Sequence, residues 1–166
     1  SYNESTQTTI FDSVGNAPVL TTYFRRETVP TGATPTSTWS AFSFVGDQAL
    51  VSGGTAPVTL TFDAAGTLTS PTAATTFDAF TPASSPNPQV IALDFGTATT
   101  QLGAPFDLVA SSQDGVAVGQ LQGVTIDNEG MIRASFSNGE TATLGKVLLA
   151  NFANPSGLRQ LGSSSW

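Results

Sequence analysis

Apolar and polar residues alternate over short stretches of this chain, which is the pattern of half-buried β-strands. In "VTLTFD", Val58, Leu60 and Phe62 occupy alternate positions, and Thr59 and Thr61 lie between them. Successive side chains of a strand point to opposite faces of the sheet. The spacing therefore predicts a strand with three apolar residues turned toward a core and two threonines turned outward.

Two further segments have the same period of two. In "TWSAFSFV", Trp39, Ala41 and Ser43 share one face, and Phe42 and Phe44 share the other. The segment "VIALDF" places on one side Ile91, Leu93 and Phe95. No segment combines a helical period with helix-capping residues, so the sequence predicts an all-β chain.

Turn signals separate these runs. The pattern Asp-x-x-Gly occurs at residues 12–15, 63–66 and 127–130, where the carboxylate can accept backbone N–H groups and glycine can take a left-handed conformation. Each site predicts a hairpin loop of three to five residues. The first joins "TQTTIFD" to "VLTTYFRR". Asn138-Gly139 predicts a two-residue type I′ hairpin pairing "GMIRASF" with "TATLGKVLLANF".

Two Pro-rich segments, 26–38 and 70–88, are predicted to be loops, and Phe77 and Phe80 are expected to pin the longer one to the body. Beyond about residue 110 the chain becomes a series of Gly-rich hairpins. We predict an antiparallel sandwich or barrel-like domain over residues 1–110. Residues 111–166 are predicted to form the hairpins of an incomplete second β-domain.

Composition narrows the function classes. The chain has 5 basic and 12 acidic residues and a net charge of −7, which argues against nucleic acid and anionic membranes as partners because phosphate binding needs clustered cations. It contains neither cysteine nor histidine, so disulfides, thiolate metal sites and a Ser-His-Asp triad are excluded. Enzymes built on paired carboxylates stay open as a class.

Two sets of acidic residues are candidate sites. Asp127 and Glu129 invite a calcium interpretation, but the ligand spacing of an EF-hand is absent and a hairpin turn is favoured. A glycosidase-like pair requires two acids facing each other across about 5–10 Å. Nothing in the spacing of Asp94, Asp107 and Asp114 places them together, and a solvated acid is favoured for Asp94, which lies on the polar face of a strand.

Aromatic residues offer another kind of site. Tyr23, Trp39 and Trp166 are candidates for a sugar-stacking platform, although packing of Tyr23 and Trp39 in or beside the sheet core is favoured. The Gly-rich stretches lack the strand-to-helix context of a phosphate loop. We therefore predict no catalytic residue, no cofactor and no metal site, and a role in binding or building.

Three segments resemble the bacterial flagellar hook protein family: "TIFDSVGNAPVLTTYF" near the start, "SQDGVAVGQLQGVTIDNEGMI" at residues 112–132, and "FSNGETATLGKVLLANFANPSGLRQLGSSSW" at the end. The likeness thins between about residues 25 and 105. Pro18, Val116 and Ser164 depart from the residues usual in that family. Distal-rod and other axial flagellar proteins share the pattern of the ending, and the "DSVGN" opening favours the hook.

The resemblance implies a structural subunit without catalysis. Such subunits are exported without a cleaved signal peptide and polymerise outside the cell into the flexible tube that joins rod to filament. The implied partners are copies of itself, with hook-associated and rod proteins at the ends of the tube, and the isolated chain is expected to be monomeric. An extracellular carbohydrate-binding or adhesin module is the competing class, and a carboxylate-pair hydrolase a third.

The resemblance also implies that this chain is a piece of a longer protein. It would hold the outer β-domain and the second half of the inner β-domain, without the terminal helices of the family. The sequence does not begin with methionine and starts with a polar segment, "SYNESTQTT". In this interpretation "LLANF" is the return strand of the last hairpin, and Trp166 marks a cut rather than the natural end of the fold.

Overall fold

The computed structural model describes residues 1–101, 103, 105–148, 153, 157 and 159, and the described residues form an all-β fold. The strands are β1 (Glu4–Thr9), β2 (Val19–Arg26), β3 (Ser37–Val45), β4 (Gln48–Ala49), β5 (Val58–Phe62), β6 (Leu68–Ser70), β7 (Thr75–Thr76), β8 (Ala92–Leu93), β9 (Leu121–Ile126), β10 (Met131–Phe136) and β11 (Thr141–Lys146). The predicted fold class is confirmed. Within these residues no helix is long and apolar enough to cross a membrane.

One antiparallel sheet dominates the first part of the chain. Its strand order is β1-β2-β3-β5-β6, with the short β4 paired to β3. The predicted hairpin between the first two strands is confirmed, with Thr8 opposite Leu20 and Glu4 opposite Phe24. Three-residue loops close the β1–β2 and β5–β6 hairpins, and short turns of this kind fix the register of the strands that they join.

The inner face of this sheet carries the core. Leu60 and Phe62 are 3% and 4% exposed and Thr59 is exposed, so the predicted alternation of β5 is confirmed. Small residues on β3 complete this face, with Ala41 packed among the apolar side chains of β5. On the same strand Ser43 is buried, and its hydroxyl forms a hydrogen bond of 3.0 Å with the hydroxyl of Thr22 on β2.

A second layer covers part of the inner face. β7 and β8 pair antiparallel over two residues each, and Phe77 and Phe80 lie buried against Leu20, Val45 and Leu50. The prediction that both phenylalanines pin this long segment is confirmed. The strand expected in "VIALDF" is reduced to Ala92–Leu93, although its three apolar residues pack toward the core as the period indicated.

The Asp-x-x-Gly turns adopt one repeated geometry. Gly15, Gly66 and Gly130 have φ near +80°, and each donates its N–H to the aspartate carbonyl three residues earlier at 2.9–3.0 Å. All three are loops of three residues, within the predicted length. The Asn138-Gly139 prediction is wrong in type. Gly139 has φ +86° but Asn138 does not have positive φ, and Phe136 bonds to Glu140 around a three-residue loop.

Residues 119–166 form the second of two compact units, and residues 1–118 form the first. In the second unit, β10 lies between β9 and β11 in an antiparallel sheet. The predicted pairing of "GMIRASF" with the strand after Gly139 is confirmed over β11. The segment "LLANF" and Trp166 lie outside the described residues, apart from Leu148. The boundary between the compact units lies after the predicted position at residue 110, whereas the assignment of two hook-type domains stays a prediction.

Candidate functional site

Asp12 does more than form a turn. Its Oδ1 accepts the N–H groups of Val14 and Asn16 at 3.0 and 2.9 Å. Its Oδ2 accepts the side chains of Asn16 at 2.9 Å and Ser84 at 2.8 Å. Since Ser84 belongs to the long loop, this one carboxylate joins the first turn to a segment more than seventy residues later.

The surrounding contacts extend this junction. Ser13 lies 3.2 Å from the hydroxyl of Ser85 and accepts the side-chain N–H of Asn87 at 3.1 Å. Asn16 donates to the carbonyl of Ser84 at 2.7 Å. We call residues 12–16 with residues 84–87 the loop junction. It is a polar clasp in which every named group has a partner, so it holds the loop rather than a ligand.

Hydrogen bonds set the charge state of Asp12. Burial raises the pKa of this carboxyl, but the bonds from Asn16, Ser84 and Val14 together outweigh burial and lower its pKa below the ordinary value of 3.8. Asp12 is 5% exposed, which fits a carboxylate that has exchanged water for protein donors. The junction therefore contains a stable anion at neutral pH.

Asp127 occupies the equivalent turn in the second unit. Its Oδ1 accepts the N–H groups of Glu129 and Met131, and its Oδ2 lies 3.4 Å from Arg133 Nε. The Met131 hydrogen bond is the largest cause lowering its pKa, with burial opposing it and Arg133 assisting. The favoured turn interpretation is confirmed. The described residues hold no cluster of three or more metal-ligating side chains, and the absence of a metal site stays a prediction.

The three acids weighed as a catalytic pair are all exposed: Asp94, Asp107 and Asp114. Asp94 accepts the N–H of Gly96 at 2.8 Å in its own turn. Among the described residues, no recorded hydrogen bond links these acids to one another. Their exposure agrees with the interpretation of Asp94 as a solvated acid, and the absence of a catalytic site stays a prediction.

The outer face of the main sheet carries a group of aromatic side chains, most of them half-buried. Tyr23 lies between Tyr2 and Phe44, with ring centroids 4.6 and 5.8 Å away. The Arg25 guanidinium lies 5.3 Å from the centre of the Phe42 ring and 2.7 Å from Glu27. Because its charge is shared with a ring and a carboxylate, Arg25 offers little free charge to a ligand.

Trp39 lies on the inner face. Its Nε1–H donates to Gln101 Oε1 at 2.9 Å, and its ring packs beside the core cluster of β5. Arg26 covers the ring at 5.7 Å. The favoured interpretation of both aromatics is confirmed, since Tyr23 packs against Phe44 on the sheet and Trp39 beside the core. Trp166, the third candidate, lies outside the described residues.

The contact of Asp78 with two glycines was not predicted either. Asp78 accepts the N–H groups of Gly53 and Gly54 at 3.0 and 2.7 Å, and both glycines have positive φ. Successive backbone N–H groups in a turn can face one concave side, which binds an anion. Here the anion belongs to the chain itself. The paired glycines of "SGGT" were the available signal, but nothing local to them indicates which acid closes the loop.

Comparisons with known proteins identify relatives. A family model, the flagellar basal body protein FlaE D2 domain, matches residues 1–116. The flagellar hook protein FlgE of Salmonella typhimurium is 30% identical over 178 residues, which cover 100% of this chain and 39% of that protein. FlgE of Escherichia coli is 32% identical over 166 residues, with the same shares. The crystal structure of a Helicobacter pylori flagellar hook protein has a TM-score of 0.49 and 25% identity, and covers 96% of this chain and 35% of that one.

The chain thus spans about two fifths of the length of these curated relatives. The resemblance drawn from its motifs is confirmed. Since the family match takes in most of the chain and the aligned relatives are hook proteins, the chain belongs to the flagellar hook protein family and carries its D2 domain.

Proposed function

We propose that this chain is part of a structural subunit of the bacterial flagellar hook and takes no part in catalysis. The observation that carries the proposal is the alignment of the whole chain to hook proteins of two organisms, together with the family match over residues 1–116. The described side chains support it, because the most connected carboxylates hold turns and loops instead of facing an open cleft.

The proposal extends to place and partners. The parent protein is exported without a cleaved signal peptide, and it polymerises with copies of itself outside the cell between rod and hook-associated proteins. A fold that needs no disulfide suits a chain that folds after export, and this chain has no cysteine. Residues 1–110 act as the outer domain and residues 111–166 as the second half of the inner domain.

Exposed apolar side chains support the incomplete second domain. Val124 and Ile126 of β9 are 52% and 62% exposed, and Leu144 of β11 is also exposed. Apolar residues exposed together on a small sheet of three strands usually mark a surface that another segment covers. The relatives are longer than this chain, so further chain is available in the parent to cover this sheet.

Immunogold electron microscopy tests the proposal directly. Antibodies raised against the chain are applied to intact cells of the source organism and to purified hook–basal bodies. We expect label along the hook, between rod and filament. Label on the cell surface or on the filament, with bare hooks, contradicts the proposal and favours an adhesin.

We further propose that the segment 70–88 touches neighbouring subunits. It is anchored inward by Phe77 and Phe80 and by the loop junction, so its exposed residues stand on a fixed support. In the full-length protein, Ala73→Asp and Ala79→Asp should reduce swimming and alter hook shape. Ala98→Asp, at an exposed position outside the segment, is the matched control. Normal hooks in both loop variants would show that the contacts lie elsewhere.

A further inference from the structure

The two tyrosines of this chain lie against each other. The sequence contains only Tyr2 and Tyr23, and the fold brings them together on the outer face of the main sheet. Their ring centroids are 4.6 Å apart, and the ring planes meet at 50°. This separation is at the close end of the range of about 4.5–7 Å for aromatic pairs, so carbon atoms of the two rings are in contact.

The main chain holds the two rings side by side. Tyr23 belongs to β2, whereas Tyr2 precedes β1 and belongs to no strand. The start of the chain is fastened to β2 at Asn3. Its N–H donates to the carbonyl of Phe24 at 2.8 Å, and its Oδ1 accepts the N–H of Arg26 at 2.8 Å. The pair therefore combines one ring fixed in the sheet with one ring on a segment that can adjust.

An oxidant in solution can reach this pair. Tyr2 is 57% exposed, and Tyr23 is half-buried. The chain has no cysteine, no histidine and a single methionine, Met131, which is half-buried. Trp39 donates its Nε1–H to Gln101, and the Arg26 guanidinium covers its ring. Among the oxidisable side chains that the structure describes, Tyr2 is thus the most exposed.

We propose that Tyr2 and Tyr23 form an oxidative modification site, at which a haem peroxidase acting with hydrogen peroxide joins the two rings as dityrosine. Each phenol gives one electron to the oxidant and one proton to water, and becomes a phenoxyl radical. The radicals couple through the ring carbons next to the hydroxyl groups. Those carbons then lose their protons to water and the oxygens take up protons, which restores both phenols. The peroxide takes two electrons and two protons and becomes two water molecules.

The new carbon–carbon bond acts as a staple. It ties the residue before β1 to the middle of β2, and closes the segment between them, including the turn at Asp12, into a covalent loop. A cross-link of this kind lowers the entropy of the unfolded chain, as a disulfide does. A chain without cysteine cannot form a disulfide. The proposal rests on the geometry of the pair and does not depend on a role in the hook.

Oxidation of the purified chain tests the site. The chain is treated with a haem peroxidase and hydrogen peroxide, then digested with a glutamyl endopeptidase, which cuts after Glu4 and so between the two tyrosines. We expect a monomeric product that has lost two hydrogen atoms and shows dityrosine fluorescence. Mass spectrometry should find the peptide ending at Glu4 joined to the peptide that contains Tyr23. Dityrosine only between separate chains, or no dityrosine, overturns the proposal.

Three variants distinguish proximity from exposure. Tyr2→Phe and Tyr23→Phe each keep the ring and remove one phenol, so both should abolish the link within the chain. Tyr2→Phe combined with Val90→Tyr has two tyrosines again, but residue 90 is 61% exposed in the second layer, across the main sheet from Tyr23. This double variant should form no link within the chain. A link at the wild-type yield would show that exposure alone decides, and overturns the proposal.

Urea unfolding tests the staple. The oxidised monomer should unfold at a higher urea concentration than the untreated chain, because its unfolded state has lost entropy. Tyr2→Phe treated with the same oxidant is the control for damage at other side chains, and its midpoint should not change. An oxidised monomer whose midpoint equals or falls below that of the untreated chain overturns the role of the pair as a staple.

Discussion

The aspartates at the start of three turns have the same backbone role and different surroundings. In each, Oδ1 accepts the N–H groups two and four residues ahead. Only Asp12 also uses Oδ2 to bind a residue from a distant loop. The cost of losing a carboxylate should therefore depend on the second oxygen, since the turn needs only the first.

The change Asp12→Asn should destabilise the fold and Asp63→Asn should not. Asparagine keeps an oxygen for the turn but turns an N–H₂ group toward the donating side chain of Asn16. Among the described residues no group bonds to Oδ2 of Asp63, so the same change keeps both of its turn bonds. Thermal unfolding and amide exchange of residues 84–87 measure the difference. Equal melting temperatures for the two variants would show that the loop junction contributes nothing.

The turns could be predicted from the sequence, but the distant residues that contact them could not. The spacing of Asp and Gly predicts the local bonds because both residues lie within one loop. It does not reveal that Ser84 approaches Asp12, or that Gln101 approaches Trp39, because those contacts depend on how separate elements pack. The Asn138-Gly139 turn failed for a related reason, since the register of β10 and β11 selected a three-residue loop.

At the scale of elements, two glycines in the second unit separate strain from crowding. Gly130 has φ +80° and Gly139 has φ +86°, so alanine at either position should lower the stability by about 1–2 kcal/mol. A Cβ on Gly130 would also lie 2.7 Å from the carbonyl oxygen of Val147, whereas a Cβ on Gly139 meets nothing within 4 Å. Gly130→Ala should therefore be the more destabilising change.

Circular dichroism melts of the two variants measure this order. Loss of the β11 pairing in Gly130→Ala should be visible as faster amide exchange at Val147, whose N–H bonds to Gly130 O at 2.7 Å. If Gly139→Ala proves the more damaging change, crowding at Gly130 is relieved by a shift of the strand end.

The second layer depends on few side chains. Phe80→Ala removes a buried ring that holds the long loop against Leu20 and Leu50, and should cost about 3–5 kcal/mol. Val90→Ala, at a residue 61% exposed in the same layer, should stay within about 0.5 kcal/mol of the wild type. Urea unfolding followed by tryptophan fluorescence gives both values. A loss near 1 kcal/mol for Phe80→Ala would mean that the loop closes over the gap.

Alternation predicted strands well where one face is buried, as in β5. Alternation was less informative for "VIALDF", where only two residues form strand hydrogen bonds. The segment covers the core with its apolar side chains and does not form a long strand pair. The compact units also divide later than the change in composition indicated. Residues 111–118 resemble the second unit in their glycine content, but they pack along the first hairpin. Composition alone does not reveal that contact.

At the scale of the whole molecule, acid should be the main chemical threat to stability. Asp12, Glu27 and Asp127 each have a pKa lowered in the folded state. For Glu27 the Ser40 hydrogen bond is the largest cause, followed by Arg25. The unfolded chain then binds more protons in acid than the folded chain, so stability rises with pH in that range.

The urea midpoint should stay nearly constant from pH 8 to about pH 5, because the chain has no histidine to titrate there. It should fall as the pH drops below the ordinary values of 4.5 for glutamate and 3.8 for aspartate. Asp12→Asn should differ from the wild type most at neutral pH and least in acid. A midpoint that rises on acidification would contradict this account, and would indicate that relief of the −7 net charge dominates.

Residues 106–118 run parallel to residues 8–15, and this course has a mechanical consequence. This segment begins at Phe106, near the start of β1, and ends at Val118 beside Gly15, at the far end of the same line of contacts. Tension applied to residue 1 and residue 118 in opposite directions would slide the two segments past each other, loading Thr8–Ser111, Phe11–Gly115 and Gly15–Val118 together. Contacts loaded in shear resist force as a group, whereas contacts peeled from one end yield singly. We therefore expect residues 106–118 to resist a pull along this line better than a pull that peels them away from one end.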